Sequence, residues 1–172
     1  QTIPGYTYQP LFDENGMKTV ASGTVAGDGS LVLNLYYTPD ADALAYHANG
    51  GQGTMAATEG VTDQVVEVAA NGFERAGYAF VGWNTAADGS GQAYAAGAGY
   101  ALTAGDDALF AQWTPNDGTA YTVNHYKVNA AHTAATLDNA ENLNATTDAS
   151  VSATPQTIPG YTYQPLFDEN GM

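Results

Sequence analysis

The two ends of the chain carry the same text. Residues 1–17 read QTIPGYTYQPLFDENGM, and residues 156–172 repeat it letter for letter. A chance identity over 17 residues is not credible, so the 172-residue sequence holds a period of 155 residues, from position 1 to position 156. Self-similarity at a fixed period marks chains built from repeated units that contact mainly their neighbours. The expectation is a slice of a tandem array, whose function is a property of the array.

Charge then removes whole classes of partner. Eighteen Asp and Glu face three cations, Lys18, Arg75 and Lys127, for a net charge of −15. Binding to nucleic acid releases counterions through clustered Lys and Arg, and no such cluster can be assembled here. Anionic membrane surfaces are disfavoured on the same ground. No apolar run approaches the ~18 residues of a membrane span, so no membrane insertion is expected. Hydrophobic residues make up 44 %, enough for a packed core. With no cysteine there are no disulfides and no thiolate metal sites. A polar, Gly-, Thr- and Ala-rich, cysteine-free array suits the outside of a bacterial cell wall. An extracellular chain, attached to that wall, is the expected localisation.

Punctuation divides the period in two. LVLNLYYTP (31–39) and LFAQWTP (109–115) are apolar, aromatic-rich runs, each preceded by an acidic turn and closed by Thr-Pro. Proline cannot donate to a strand ladder, so each run reads as the last strand of a module. One module spans 44–115. The other is cut by the window: its back half is 1–39 and its front half 119–172. Alternating β-branched and aromatic residues predict strands at 18–25, 31–38, 44–48, 61–69, 79–84, 108–113, 121–128 and 161–164. Gly-rich turns fall between them, including Asn49-Gly50-Gly51, Asp88-Gly89-Ser90-Gly91 and Asn170-Gly171. Only 72–76 and 149–154 offer short helices. The class is therefore mainly β (α+β). Tyr78, Phe80, Trp83, Tyr94, Tyr100, Phe110 and Trp113 are the expected core of the intact module. Tyr121, Tyr126, Ile158, Tyr161, Tyr163, Leu33, Leu35 and Tyr37 are that of the divided one.

The residues of the intact module resemble the Listeria–Bacteroides repeat, the internalin-type B repeat. The resemblance is carried by Tyr46-His47-Ala48-Asn49-Gly50-Gly51, by residues 75–84 (RAGYAFVGWN), by Ala87-Asp88-Gly89-Ser90-Gly91 and by the closing residues 109–113. Ala76 stands where proline is usual in that family, which changes a turn residue and no chemistry. The divided module is similar to a mucin-binding-protein (MucBP-like) repeat through Tyr121-Thr122-Val123-Asn124-His125-Tyr126, Ile158-Pro159-Gly160-Tyr161 and residues 28–38. The two resemblances imply two small β-grasp, ubiquitin-like modules per period, as found in wall-anchored surface proteins and adhesins. They imply no catalytic residues.

Chemistry read from the residues is sparse. His47, His125 and His132 are the only histidines, and they lie in different modules or on separate strand and loop, so no metal ligand set is expected. The Asp/Gly turns at 26–30, 87–91 and 105–107 lack the spacing of a calcium loop and read as hairpin turns. No cofactor is expected; the charge of −15 admits at most a weak surface Ca²⁺. Serines sit in turns without a nucleophile elbow, so the chain is read as no enzyme. An internal isopeptide bond needs a buried lysine beside Asn or Asp, and Lys127 reads instead as a solvated side chain. Tyr6, Tyr8, Tyr36 and Tyr37 are the candidates for stacking on sugar rings, with core or interface packing as their commoner use.

The expected role is mechanical: a stalk that projects an adhesive tip from the cell wall. The alternative is that the MucBP-like module itself holds mucin or another host glycan, gaining avidity by repetition. Partners are neighbouring repeats, and the two halves of the split module are expected to meet, either within one chain or head-to-tail between copies. A linear array, which places the halves at opposite ends of the middle module, favours the second.

Overall fold

The computed structural model describes residues 2–164. The Asn170-Gly171 turn and the last eight residues of the second copy of the repeated text lie outside the described residues. Thirteen strands are described: β1 (Tyr6–Tyr8), β2 (Asp13–Glu14), β3 (Met17–Lys18), β4 (Tyr37–Pro39), β5 (Ala41–His47), β6 (Thr58–Val61), β7 (Val65–Glu67), β8 (Tyr78–Asn84), β9 (Ala93–Tyr94), β10 (Gly99–Ala101), β11 (Asp107–Pro115), β12 (Thr119–Val128) and β13 (Ala135–Ala145). They fall in two compact units. The first holds the chain up to Ala76 together with Phe80–Trp113; the second holds Gly77–Ala79 and the chain from Thr114.

The first unit is organised by a five-stranded sheet of order β6-β5-β11-β8-β9. Its central pair, β5 and β11, runs parallel with Leu44 opposite Asp107 and Tyr46 opposite Leu109. Parallel neighbours need a long crossover, and residues 48–106 supply it, including the antiparallel β7–β10 ribbon. Alternation along the central pair points Leu44, Tyr46, Leu109 and Ala111 inward. These pack with Val66, Val68, Phe73, Trp83, Tyr100 and Leu102 into one core. Trp83 lies at its centre, 1 % exposed, with the Tyr46 ring centroid at 4.9 Å and Phe80 at 5.1 Å. Phe110, expected in this core, faces the other side of the sheet and stacks on His47 at 4.7 Å. The β11 alternation decides this, because burying Leu109 and Ala111 turns the residue between them outward.

No helix occurs among the described residues, so the chain is all-β there and the α+β label is corrected. At 72–76 the backbone is engaged elsewhere. The Asn71 side chain holds both the N–H and the carbonyl of Phe73, at 2.9 Å each, the local competition by which Asn disfavours helix. Glu74 pairs as a bridge with Gln52, at 2.7 and 3.0 Å. At 149–154 the chain makes one turn, Ala149 N–H to the Thr146 carbonyl at 3.0 Å, and then runs without regular structure.

Three further expectations change. The predicted strand over 61–69 is broken after Val61, where Asp63 takes φ +65° and Gln64 N–H closes a turn on the Val61 carbonyl at 3.0 Å. Of the predicted strand 18–25 only Lys18 lies in a strand, and of 31–38 only Tyr37 and Thr38, with a lone bridge from Val20 to Asn34. Residues 161–164 are coil.

In the second unit β12 and β13 form an antiparallel hairpin with a bulge at His125/Tyr126. Its turn end is tied by Asn129, whose Oδ1 accepts from Thr133 N–H at 2.9 Å. No hydrophobic side chain of this unit is buried among the described residues. The expected core of the divided module is thus not assembled: Tyr126, Tyr161, Tyr163, Leu33 and Leu35 are each about half exposed or more.

Candidate functional site

The four tyrosines singled out from sequence lie around one short strand pair. Pro4-Gly5 forms the turn that starts it, with Tyr6 N–H donating to the Ile3 carbonyl at 3.2 Å and Gly5 at φ +73°. Proline followed by glycine suits such a turn because proline presets φ and glycine alone adopts the positive value cheaply. Gly5 is also the only residue that fits. A Cβ there would lie 2.6 Å from Thr62 and 2.8 Å from Ala104.

β1 then pairs antiparallel with β4: Tyr6 faces Pro39, Thr7 faces Thr38 and Tyr8 faces Tyr37. Hydrogen bonds from Asp40 N–H to Gly5 (2.8 Å) and from Gln9 N–H to Tyr36 (2.9 Å) bracket the ladder. Hydrogen-bonded pairs alternate in such a ladder, so Thr7 and Thr38 are one and Tyr6 and Pro39 are not. Pro39 therefore withholds an N–H from no partner on this side. Side chains fasten the pair: Tyr6 hydroxyl donates to Asp63 at 2.7 Å, Thr7 hydroxyl to Asp40 at 2.5 Å, and Gln9 Nε2 to the Thr38 hydroxyl at 2.7 Å. The bond to the Asp63 carboxylate raises the Tyr6 pKa above the usual phenol value. Tyr8 and Tyr37 meet at 5.5 Å, and Tyr36 stacks on Phe12 at 5.3 Å. All four tyrosines are half-buried.

In the second unit an open groove of about 850 Å³ lies along the hairpin and residues 155–164. Asn124, His125, Tyr126, Gln156, Tyr161 and Tyr163 are among its walls. Lys127 pairs with Asp138, which raises its pKa, and its Nζ sits 5.6 Å from the centroid of the Tyr161 ring. His125 Nε2 is buried, 3.5 Å from Glu141 Oε1, without a hydrogen bond.

The residues that carry the repeat resemblance hold the frame. Asn84, 4 % exposed, donates to the carbonyls of Gly89 and Gly91 at 3.1 and 3.2 Å and accepts from the N–H groups of Ala86 and Gly91 at 2.9 and 3.0 Å. It thereby fastens the loop in which Asp88 accepts from Ser90 N–H (3.0 Å) and hydroxyl (2.6 Å), contacts that lower the Asp88 pKa. Asn49, at φ +47°, donates to Ala87 and Ala111 at 2.7 and 2.8 Å. Gly51 lies under Trp113, whose Nε1–H reaches the Ala48 carbonyl at 2.9 Å. No three His, Asp or Glu side chains converge among the described residues.

Residues 43–112 match the family model of the Listeria-Bacteroides repeat domain. The match covers most of the central sheet and its motif residues up to Gln112, and leaves 1–42 and 113–172 outside. No curated protein matches the chain, and no solved structure does. Repeat domains of this family are typical of extracellular and surface proteins, and the matched module supports an extracellular bacterial repeat protein.

Proposed function

We propose that the chain is the repeat unit of a bacterial surface protein and acts as a non-catalytic structural stalk, projecting an adhesive tip from the cell wall. The observation that carries this reading is the 17-residue identity at a 155-residue offset, set beside a matched repeat module whose motif residues Asn49, Asn84 and Trp113 are engaged in hydrogen bonds that hold its frame. A β-grasp organisation of that module accords with its first and last strands, β5 and β11, lying parallel at the middle of the sheet. The divided module, 119–172 followed by 1–39 of the next copy, is read as MucBP-like. The surface charge of −15 keeps neighbouring stalks soluble and mutually repelling.

A second reading assigns glycan binding to the MucBP-like module, favoured by the half-exposed cluster of Tyr6, Tyr8, Tyr36 and Tyr37. Surface plasmon resonance of a two-period protein on immobilised mucin separates the two. The stalk reading expects no saturable binding. Saturable binding that free glycan competes away, lost on Tyr8→Ala, would replace it with the second.

A further inference from the structure

One sequence stands in two places in this chain and takes two structures. QTIPGYTYQ occupies 1–9 and again 156–164. The Pro-Gly turn forms in both copies: Tyr161 N–H donates to the Ile158 carbonyl at 3.0 Å with Gly160 at φ +83°, matching the turn at Gly5. Beyond the turn the two copies diverge. Tyr6–Tyr8 is a half-buried strand on β4, whereas Tyr161–Tyr163 is coil, with Tyr161 51 % and Tyr163 61 % exposed. The turn needs only residues that both copies share. The strand needs β4.

The surroundings of the second copy point the same way. It lies along the β12–β13 hairpin, with Asn139 Nδ2 donating to Gln156 Oε1 at 3.2 Å. That hairpin has no buried apolar residue and leaves Tyr126 and Leu137 about half exposed. A two-stranded hairpin alone is marginally stable in water. The segment leading into β4 is likewise open, with Leu33 48 % and Leu35 51 % exposed. Two coreless pieces each carry what the other lacks.

We propose that Tyr161–Tyr163 of one copy pairs with β4 of a second copy, in the register Tyr161 to Pro39, Thr162 to Thr38 and Tyr163 to Tyr37. This rests on the array reading above and supplies its joint. Every contact is already seen once: Asp63 takes the tyrosine hydroxyl, Asp40 N–H the glycine carbonyl, and the Thr38 hydroxyl the glutamine amide. The exchange swaps like for like, as in domain swapping. In a covalent array one segment serves both sides, lying on the hairpin before it and on the β4 after it. Between separate chains Tyr6–Tyr8 competes at the roughly millimolar effective concentration of a short tether. Exchange then needs a concentrated solution or a disabled first copy.

Thr7→Pro disables it, removing the N–H of a hydrogen-bonded pair while leaving the second copy intact. By analytical ultracentrifugation the full chain carrying Thr7→Pro is expected to double its mass and grow further with concentration, and Thr7→Pro/Thr162→Pro to return to monomer. A Thr7→Pro chain that keeps native tryptophan fluorescence yet stays monomeric, or associates regardless of position 162, overturns the proposal. Should Thr7→Pro disturb the core, Thr38→Cys/Thr162→Cys in the otherwise unchanged chain decides. At millimolar concentration mild oxidation is expected to give a ladder of disulfide-linked chains, which Thr38→Cys/Thr157→Cys, out of register, does not. Equal ladders from both, or none, overturn the exchange. Neither result touches the stalk reading, which modules joined end to end satisfy without exchange and which mucin binding tests separately.

Discussion

Asn84 shows how much of this fold rests on single polar side chains. Its amide closes a loop through four hydrogen bonds inside a buried site. Replacing it by alanine removes all four bonds, each worth about 0.5–1.5 kcal/mol net, so Asn84→Ala should lower unfolding stability by roughly 2–3 kcal/mol, read by urea denaturation. Tyr100 is the other telling residue. Burial first, then the hydrogen bond to Asp107 at 2.9 Å, pushes its pKa up to about 12. The raised value means the folded state holds the phenol proton more tightly than the unfolded chain does. Its stabilising contribution is therefore complete below about pH 10 and is lost as the pH climbs to about 12. Tyr100→Phe should be less stable than the parent at pH 8, by about 1 kcal/mol for the lost bond. That gap should close across the alkaline range in matched denaturation curves.

At the scale of elements, local signals were legible and non-local ones were not. The Asp-Gly-Ser turns at 28–30 and 88–90 are written in neighbouring residues, and the structure forms them. The helix expected at 72–76 failed because Gln52 and Asn71 claim its backbone, and the first of these lies twenty residues upstream. Phe110 has the size of a core residue, though strand parity assigns it to the opposite face. The four tyrosines were legible as a group, since β1 and β4 bring them together; the roles of Asp40, Asp63 and Thr62 in holding them were not, because no local pattern links those positions to residues 5–9. The contrast between β1 and the identical 161–163 is the same lesson within one sequence. Protection should track it. Amides of β5 and β11 are expected to exchange only with global unfolding, and those of β12 and β13 orders of magnitude faster. Hydrogen exchange monitored by NMR reads both, and equal protection would contradict the coreless state of the hairpin.

For the whole molecule the claim is additive length. A module of about 77 residues has a radius of gyration of roughly 11–12 Å and a diameter near 30 Å, so each period should add about 60 Å. An array of such units behaves as a quasi-one-dimensional solid whose reach scales with copy number. A segment shared at each joint, lying on the hairpin before it and paired with the β4 after it, would make that solid stiffer without changing its arithmetic. The most direct measurement is small-angle scattering on proteins of one, two and three periods. The account predicts a maximum dimension that rises by a constant ~60 Å per added period. A dimension that grows only as the cube root of mass would mean the repeats collapse onto one another, and the stalk would be contradicted.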